Sequence, residues 1–277
     1  MDQARILREM YDPRLRKKEV GPRVIAVTSG KGGVGKTGLS ANLASILARK
    51  KYRVLLLDAD TGLANLDVVL GLCPKYNLYH VLKGEVSMEE ALLEGPGGFH
   101  ILPASSGIQS MTELSPGQKV SLLEILNSWP DKLDFLIVDT AAGISANVMY
   151  FNRAAGETLV VVTPEPTSLT DAYALIKILF QHYAKKKFLL VVNMVKNRAE
   201  GEEVYRRLNR ATDHFLNLAL DYLGCIPEDA NFKKAVKKQS LLVDLFPQSP
   251  ATLALGELAA KIEETTVSCE PGAINFL

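Results

Sequence analysis

The sequence predicts a single α/β domain built on a doubly wound, mainly parallel sheet with helices on both faces. Three observations predict it. Short, continuously apolar runs recur along the chain, stretches with helical spacing separate most of them, and a glycine-rich loop joins the first run to the first helix. Continuous rather than alternating hydrophobicity is the mark of strands covered on both faces, as in a parallel sheet.

The elements follow in order. Val24-Ile25-Ala26-Val27-Thr28 is a β-branched run bounded by glycines, and after it Leu39, Leu43, Ile46 and Leu47 recur at helical spacing. Val54-Leu55-Leu56-Leu57 reads as a second buried strand. Further strands are expected at His100–Leu102, Phe135–Val138, Thr158–Val162, Phe188–Val192 and Tyr222–Ile226, and helices over 168–184, 202–220 and 250–264. The domain is expected to span residues 23–265. Residues 1–20, rich in charge with Leu7, Met10 and Leu15, read as a short amphipathic helix or arm closed by Gly21-Pro22. Residues 266–277 read as a C-terminal tail.

Composition narrows the classes. The chain of 277 residues is 47% hydrophobic and 23% charged, the balance of a globular protein rather than a disordered, collagen-like or coiled-coil one. Lys+Arg 32 against Asp+Glu 31 leaves a net charge of +1, which does not suggest a general nucleic-acid binder. The basic clusters Lys185-Lys186-Lys187 and Lys233-Lys234…Lys237-Lys238 read as solvated helix faces and caps. Cys73, Cys225 and Cys269 form no CxxC pair, which excludes a disulfide framework and a four-cysteine zinc site. No apolar run approaches about 18 residues and no signal-peptide core stands at the N-terminus, so the expected location is the cytoplasm.

The strongest chemical signal is Gly30-Lys31-Gly32-Gly33-Val34-Gly35-Lys36-Thr37, which fits G-x-x-x-x-G-K-[ST] between a strand and a helix. Glycines let backbone N–H groups turn inward around phosphates, and the helix N-terminus adds a favourable dipole. Lys36 is expected on the β/γ-phosphate oxygens and the Thr37 hydroxyl on Mg²⁺. The fold is therefore a P-loop NTPase domain. Lys31 is an extra cation that a generic loop does not require. Leu57-Asp58-Ala59-Asp60 puts two carboxylates at a strand's C-terminal end, and Phe135-Leu136-Ile137-Val138-Asp139 followed by Thr140-Ala141-Ala142-Gly143 is a Walker B and switch II pattern. Any one of these aspartates alone could be a helix cap; beside the loop they read as metal and water ligands. Val191-Val192-Asn193 ends another buried strand, where an amide can read an adenine edge or cap a loop. Asn193 is followed by Met194-Val195-Lys196 rather than by a guanine-reading NKxD, so ATP is favoured over GTP.

Lys31-Gly32-Gly33-Val34-Gly35-Lys36-Thr37 resembles the deviant Walker A motif of the MinD/ParA family of ATPases, and the resemblance extends over about 23–265. It implies an ATP-sandwiched homodimer in which Lys31 reaches the partner's nucleotide. It also implies that Asp58 and Asp139 face the metal's waters and that Asp60 orients the attacking water. Ile226-Pro227-Glu228-Asp229 resembles the segment whose backbone borders adenine in the family, which places Pro227 and Glu228 at the base. Gly38 departs from the polar residue usual after Thr37 and trims one α-phosphate contact.

Within the family, Asp58-Ala59-Asp60-Thr61-Gly62-Leu63-Ala64-Asn65-Leu66-Asp67 is similar to MinD and to its flagellar relatives, the FlhG (FleN or YlxH) branch. Asp2-Gln3-Ala4-Arg5-Ile6-Leu7-Arg8 matches the N-terminal element of that branch, which MinD lacks. There the element contacts the signal-recognition-particle-type GTPase FlhF and stimulates its GTP hydrolysis. The resemblance gives Asp2, Gln3, Ala4, Leu7 and Arg8 that contact, with Gln3 ordering a catalytic water. It further implies control of flagellar number and placement, peripheral attachment to the inner face of the cell membrane, and flagellar C-ring proteins or a flagellar transcription regulator as partners. Ala273-Ile274-Asn275-Phe276-Leu277 is expected to be an abbreviated or truncated start of the family's membrane-targeting segment. A division-site regulator of the MinD type, an adaptor with a structural ATP site, an iron–sulfur carrier of the same superfamily and a DNA-partitioning ATPase are the rival readings.

Overall fold

The computed structural model describes residues 22–60, 66–104, 114–128 and 133–265. The elements are β1 (Arg23–Ser29), α1 (Lys36–Arg49), β2 (Val54–Ala59), α2 (Leu66–Leu70), α3 (Leu78–Leu82), α4 (Met88–Ala91), β3 (Leu93–Glu94), β4 (His100–Leu102), α5 (Pro116–Ser128), β5 (Phe135–Ala142), α6 (Ala146–Ala154), β6 (Glu157–Val162), α7 (Pro166–Tyr183), β7 (Phe188–Val195), α8 (Arg198–Leu216), β8 (Asp221–Pro227), α9 (Ala230–Lys237), α10 (Leu242–Leu245) and α11 (Pro250–Glu264). The strands form one eight-stranded sheet in the order β3-β4-β2-β5-β1-β6-β7-β8, parallel except for the β3–β4 pair. The N-terminal arm, Cys269 and the tail lie outside the described residues.

Residue alternation along each strand divides the core between the two faces. Ile25, Val27, Leu56, Ile137, Leu159, Val161 and Val191 pack with α1, α10 and α11 on one side. Val24, Ala26, Leu55, Leu57, Leu136 and Val138 face α3, α5 and α6 on the other, and Val160, Val162, Leu190 and Val192 face α7 and α8. A continuous apolar run in the sequence is therefore two interleaved sets of contacts.

The expected helix over 202–220 is placed earlier, at 198–216. Asn197 caps its start by accepting from the Glu200 N–H at 3.0 Å, and Asn217 in the left-handed region (φ 52) ends it. Leu218 and Leu220 are buried in the connection to β8 instead, where Asn209 Oδ1 accepts from the Leu220 N–H at 2.7 Å. The helix expected over 168–184 starts two residues sooner because Pro166 stands in its first turn, where a missing N–H costs nothing.

At the sheet's N-terminal edge, fully buried Glu157 takes a 2.8 Å ion pair from Arg23 and a 2.9 Å pair from Lys187. Arg23 also donates to the Ile262 carbonyl of α11. A buried carboxylate with two cationic partners is stable where a single unpaired one is not. This cluster ties the first described strand to the last described helix. Lys185 donates to the Ala155 carbonyl, and its burial pulls its pKa down to about 8 against the pull of Glu157. Two lysines of the first basic cluster are therefore internal ties rather than a solvated face. In the second cluster Lys233, Lys234, Lys237 and Lys238 are all exposed, and Lys234 donates to Asn231 Oδ1 at 3.1 Å.

Candidate functional site

The C-terminal ends of β1, β2, β5, β7 and β8 open on one edge of the sheet, and β1 lies between β5 and β6, where the strand order reverses. Such a switch point is where open α/β sheets hold ligands. The loop 30–35 crosses it and delivers the chain into α1. Gly30 is a glycine because a Cβ there would stand 2.2 Å from the Asp171 backbone carbon. Gly35 adopts φ 87 at the helix N-cap, a left-handed conformation that glycine takes without strain.

Lys36 lies in the first turn of α1, nearly buried, and its Nζ donates to Ser29 Oγ at 2.8 Å. Ser29 Oγ in turn donates to the Lys31 carbonyl at 2.6 Å. Burial lowers the Lys36 pKa, and the nearby charges of Asp139 and Asp60 oppose that shift. Asp58 and Asp139 are opposite each other in the register of β2 and β5, both buried. Burial pushes the Asp139 carboxyl up to about 6, against hydrogen bonds from Thr37 and Ser40 and the charge of Lys36. Burial, then the charge of Asp139, raises Asp58 well above the carboxylate range. Two adjacent buried carboxyls repel each other, which a bound proton or a nearby cation relieves. Asp60 is half-buried at the end of β2, its backbone N–H donating to Asp58 Oδ1 at 3.0 Å. The switch II turn is bound to the loop's base, where the Gly143 N–H donates to the Ser29 carbonyl at 2.9 Å.

Oxygen donors of this kind fit Mg²⁺, which takes one or two carboxylates and keeps several waters and phosphate oxygens. Among the described residues no three His, Cys, Asp or Glu side chains are placed to hold a metal ion by themselves, so waters and phosphate would complete the shell. Thr37 and Asp139 are the residues that could hold it directly or through water, with Asp58 behind them.

Lys31 points out of the loop. Its Nζ pairs with Glu165, the N-cap residue of α7, at 2.5 Å and donates to Thr167 Oγ1 at 3.2 Å, with both charged partners substantially exposed. A Cβ on Gly32 would meet nothing within 4 Å, so the loop's outer face is open.

Asn193 is buried, and its amide braces the loop: Nδ2 donates to the Val34 carbonyl at 2.8 Å, and Oδ1 accepts from the Met194 N–H at 2.9 Å. These bonds serve the loop-holding function foreseen for an amide at this position, and one N–H of the amide is left over after the loop is held. Asn193, Pro227 and Glu228 line a cleft of about 670 Å³ together with Gly35, Met194, Phe232 and Lys233. That volume suits a small-molecule site.

The described fold and loop now have a family. The CobQ/CobB/MinD/ParA nucleotide-binding domain matches residues 25–243. The antiactivator FleN of Pseudomonas aeruginosa is 49% identical over 255 residues, 92% of this chain and 91% of that protein. The chain belongs to the MinD/ParA nucleotide-binding family. It stands in the branch that holds FleN and the flagellum site-determining protein YlxH of Helicobacter pylori, to which it is 39% identical over 87% of this chain and 83% of that one. Among solved structures, the septum site-determining protein MinD of Pyrococcus horikoshii, complexed with Mg-ADP, superposes with a TM-score of 0.72 at 27% identity, covering 88% of this chain and 96% of that one.

The region matched to the family includes the loop and the strand-end aspartates. The match was not needed to find them, but several neighbours went unforeseen. Ser40 follows Lys36 and Thr37 at i+4 and i+3, the spacing that puts all three on one helix face, so its 3.2 Å bond to Asp139 Oδ1 could have been anticipated. Met194 carried no such signal; it takes φ 59 and stands 43% exposed at the cleft. Among the described residues no helix is long and apolar enough to cross a membrane. Cys73 and Cys225 are free thiols.

Proposed function

We propose that this protein is an ATP-dependent, dimerising switch that controls flagellar number and placement and stimulates an FlhF-type GTPase through residues 1–20. The observation that carries the nucleotide part is the meeting of Lys36, Thr37, Asp58, Asp60 and Asp139 at one sheet edge beneath a glycine loop. The flagellar part is carried by the likeness to FleN and YlxH, together with Asp2-Gln3-Ala4 and Leu7-Arg8. The Mg-ADP complex of the Pyrococcus MinD supports the choice of adenine nucleotide and metal.

In this reading the N–H groups of Gly30 to Gly38 surround the phosphates and Lys36 neutralises the β/γ oxygens. Mg²⁺, held through Thr37 and Asp139, would draw charge from the phosphate oxygens. Asp60 orients the attacking water and takes its proton, while the bond from the γ-phosphorus to the bridging oxygen breaks and ADP and phosphate form. Lys31 crosses to the second copy and meets the charge developing at the γ-phosphate. Before it can cross, Lys31 must leave Glu165, an exposed pair whose loss costs at most about five-fold. The protein works in the cytoplasm and at the inner face of the membrane, and C-ring proteins or a transcription regulator are further partners of the ATP-bound dimer.

Two measurements test this. Glu165→Ala is expected to raise the ATP-dependent dimer fraction in sedimentation. An exposed ion pair contributes at most about 1 kcal/mol, so the dimer constant should tighten by no more than about five-fold. A weaker dimer would show that Glu165 holds the interface rather than restraining Lys31. GTP hydrolysis by the partner GTPase should rise on adding this protein and lose most of that rise with Gln3→Ala. Equal stimulation by both proteins would remove Gln3 from the mechanism, equal stimulation by a protein lacking residues 1–20 would remove the arm, and none by the unaltered protein would leave a MinD-type switch.

A further inference from the structure

Gly38 is the position where this chain lacks the side chain expected after the phosphate loop, and the fold shows what occupies the space. A Cβ on Gly38 would stand 2.8 Å from Phe232 Cε1, too close for the ring to stay. Phe232 belongs to α9, whose first turn is fixed by Asp229: its carboxylate accepts from the Asn231 N–H at 2.9 Å, and its carbonyl accepts from the Phe232 N–H at 3.0 Å. Asp229 Oδ2 also accepts from the Ala251 N–H at 3.4 Å, which ties this turn to the start of α11. The ring is therefore held from outside α1 and laid against it. Three residues back along the loop, a Cβ on Gly35 would stand 3.5 Å from Met194 Cε. Met194 over Gly35 and Phe232 over Gly38 both line the cleft.

We propose that Phe232 is the wall on which the base or ribose of the nucleotide packs, and that Gly38 is a glycine in order to admit it. The inference rests on the nucleotide site proposed above. A hydroxyl at position 38 could donate to an α-phosphate oxygen; this chain gives that contact up and gains an aromatic surface at the nucleoside end. Met194, with an unbranched and polarizable side chain, lines the same cleft without fixing one ring orientation. Stacking tolerates any base, so Phe232 adds affinity and leaves discrimination between bases to the polar groups of Asn193 and the β8 turn.

The test is calorimetric binding to the full chain of two probes with Mg²⁺ present: ADP, and inorganic tripolyphosphate, which has no nucleoside. Phe232→Ala is expected to weaken ADP by about 5- to 150-fold, the range found when aromatic stacking partners are removed, and to leave tripolyphosphate unchanged. Phe232→Leu keeps the apolar packing of α9 and should show a smaller loss of the same selectivity. Gly38→Ser should weaken ADP by displacing the ring, and that cost should vanish or reverse in a Phe232→Val background, where the serine has room. Unchanged ADP affinity in both Phe232 variants, an equal loss of both probes, or a serine cost that is the same in either background would each overturn the proposal. Wild-type protein that binds neither probe would instead overturn the nucleotide site itself, and with it this inference.

Discussion

Replacing Lys36 with alanine is expected to lower affinity for adenine nucleotide by about 100-fold or more. The cation donates charge-assisted hydrogen bonds, each contributing about 1.5–3 kcal/mol, and each 1.4 kcal/mol is a factor of ten. The loss is compounded by what remains. The charges of Asp139 and Asp60 act on the position, with Asp58 beside them, and Lys36 is among the groups that hold the Asp139 carboxyl down. Without it, a phosphate chain would approach a cluster of carboxyls with no fixed cation inside the loop. Ser29, which receives the Lys36 bond, still donates to the Lys31 carbonyl, so the loop itself should persist. Calorimetry with ADP and Mg²⁺ checks the expectation, with unfolding temperature measured in the absence of nucleotide. Affinity within a few-fold of wild type would end the reading of this loop as a phosphate site.

How much of this site was readable in the sequence depends on how far apart the partners lie along the chain. Lys36, Thr37 and the strand-end aspartates were legible because their chemistry is local: a loop of fixed length, a helix start, and carboxylates at the ends of apolar runs. The sheet was legible for the same reason, since runs such as Leu55-Leu56-Leu57 and Leu136-Ile137-Val138 declare burial on both faces. What needed the fold were pairings made by topology. Lys31 meets Glu165, 134 positions away, only because α7 starts beside the loop when β6 adds next to β1. Phe232 meets Gly38 only because α9 returns over the start of α1. The misplaced start and end of α8 have another cause. Leu218 and Leu220 continue an apolar pattern, but Asn217 takes a left-handed turn that periodicity cannot reveal. Asn193 had been open to either a ligand or a structural role, and its geometry supplies the structural one in full.

Asp60→Ala is expected to separate binding from turnover more sharply than any other single change in the site. ATP hydrolysis should fall by about 10²- to 10⁴-fold, the usual worth of a positioned acid–base group, while nucleotide affinity holds or improves. The asymmetry follows from where Asp60 lies. It is half-buried at the open end of β2 and makes its backbone bond to Asp58 through its N–H, which alanine retains. Its charge supports Lys36 less than that of Asp139 does, so Lys36 stays in place without it. Removing a carboxylate near the γ-phosphate also relieves repulsion, so the ATP-bound state gains. If hydrolysis is what returns the dimer to monomer, the variant should accumulate as an ATP-dependent dimer in sedimentation, and Asp60→Asn should behave alike, since an amide can orient water but cannot take its proton. Turnover near the wild-type rate would assign the water to another group. A variant that binds ATP tightly yet stays monomeric would contradict the assignment, because without a second copy Lys31 cannot reach the nucleotide and the lost hydrolysis would no longer point to Asp60.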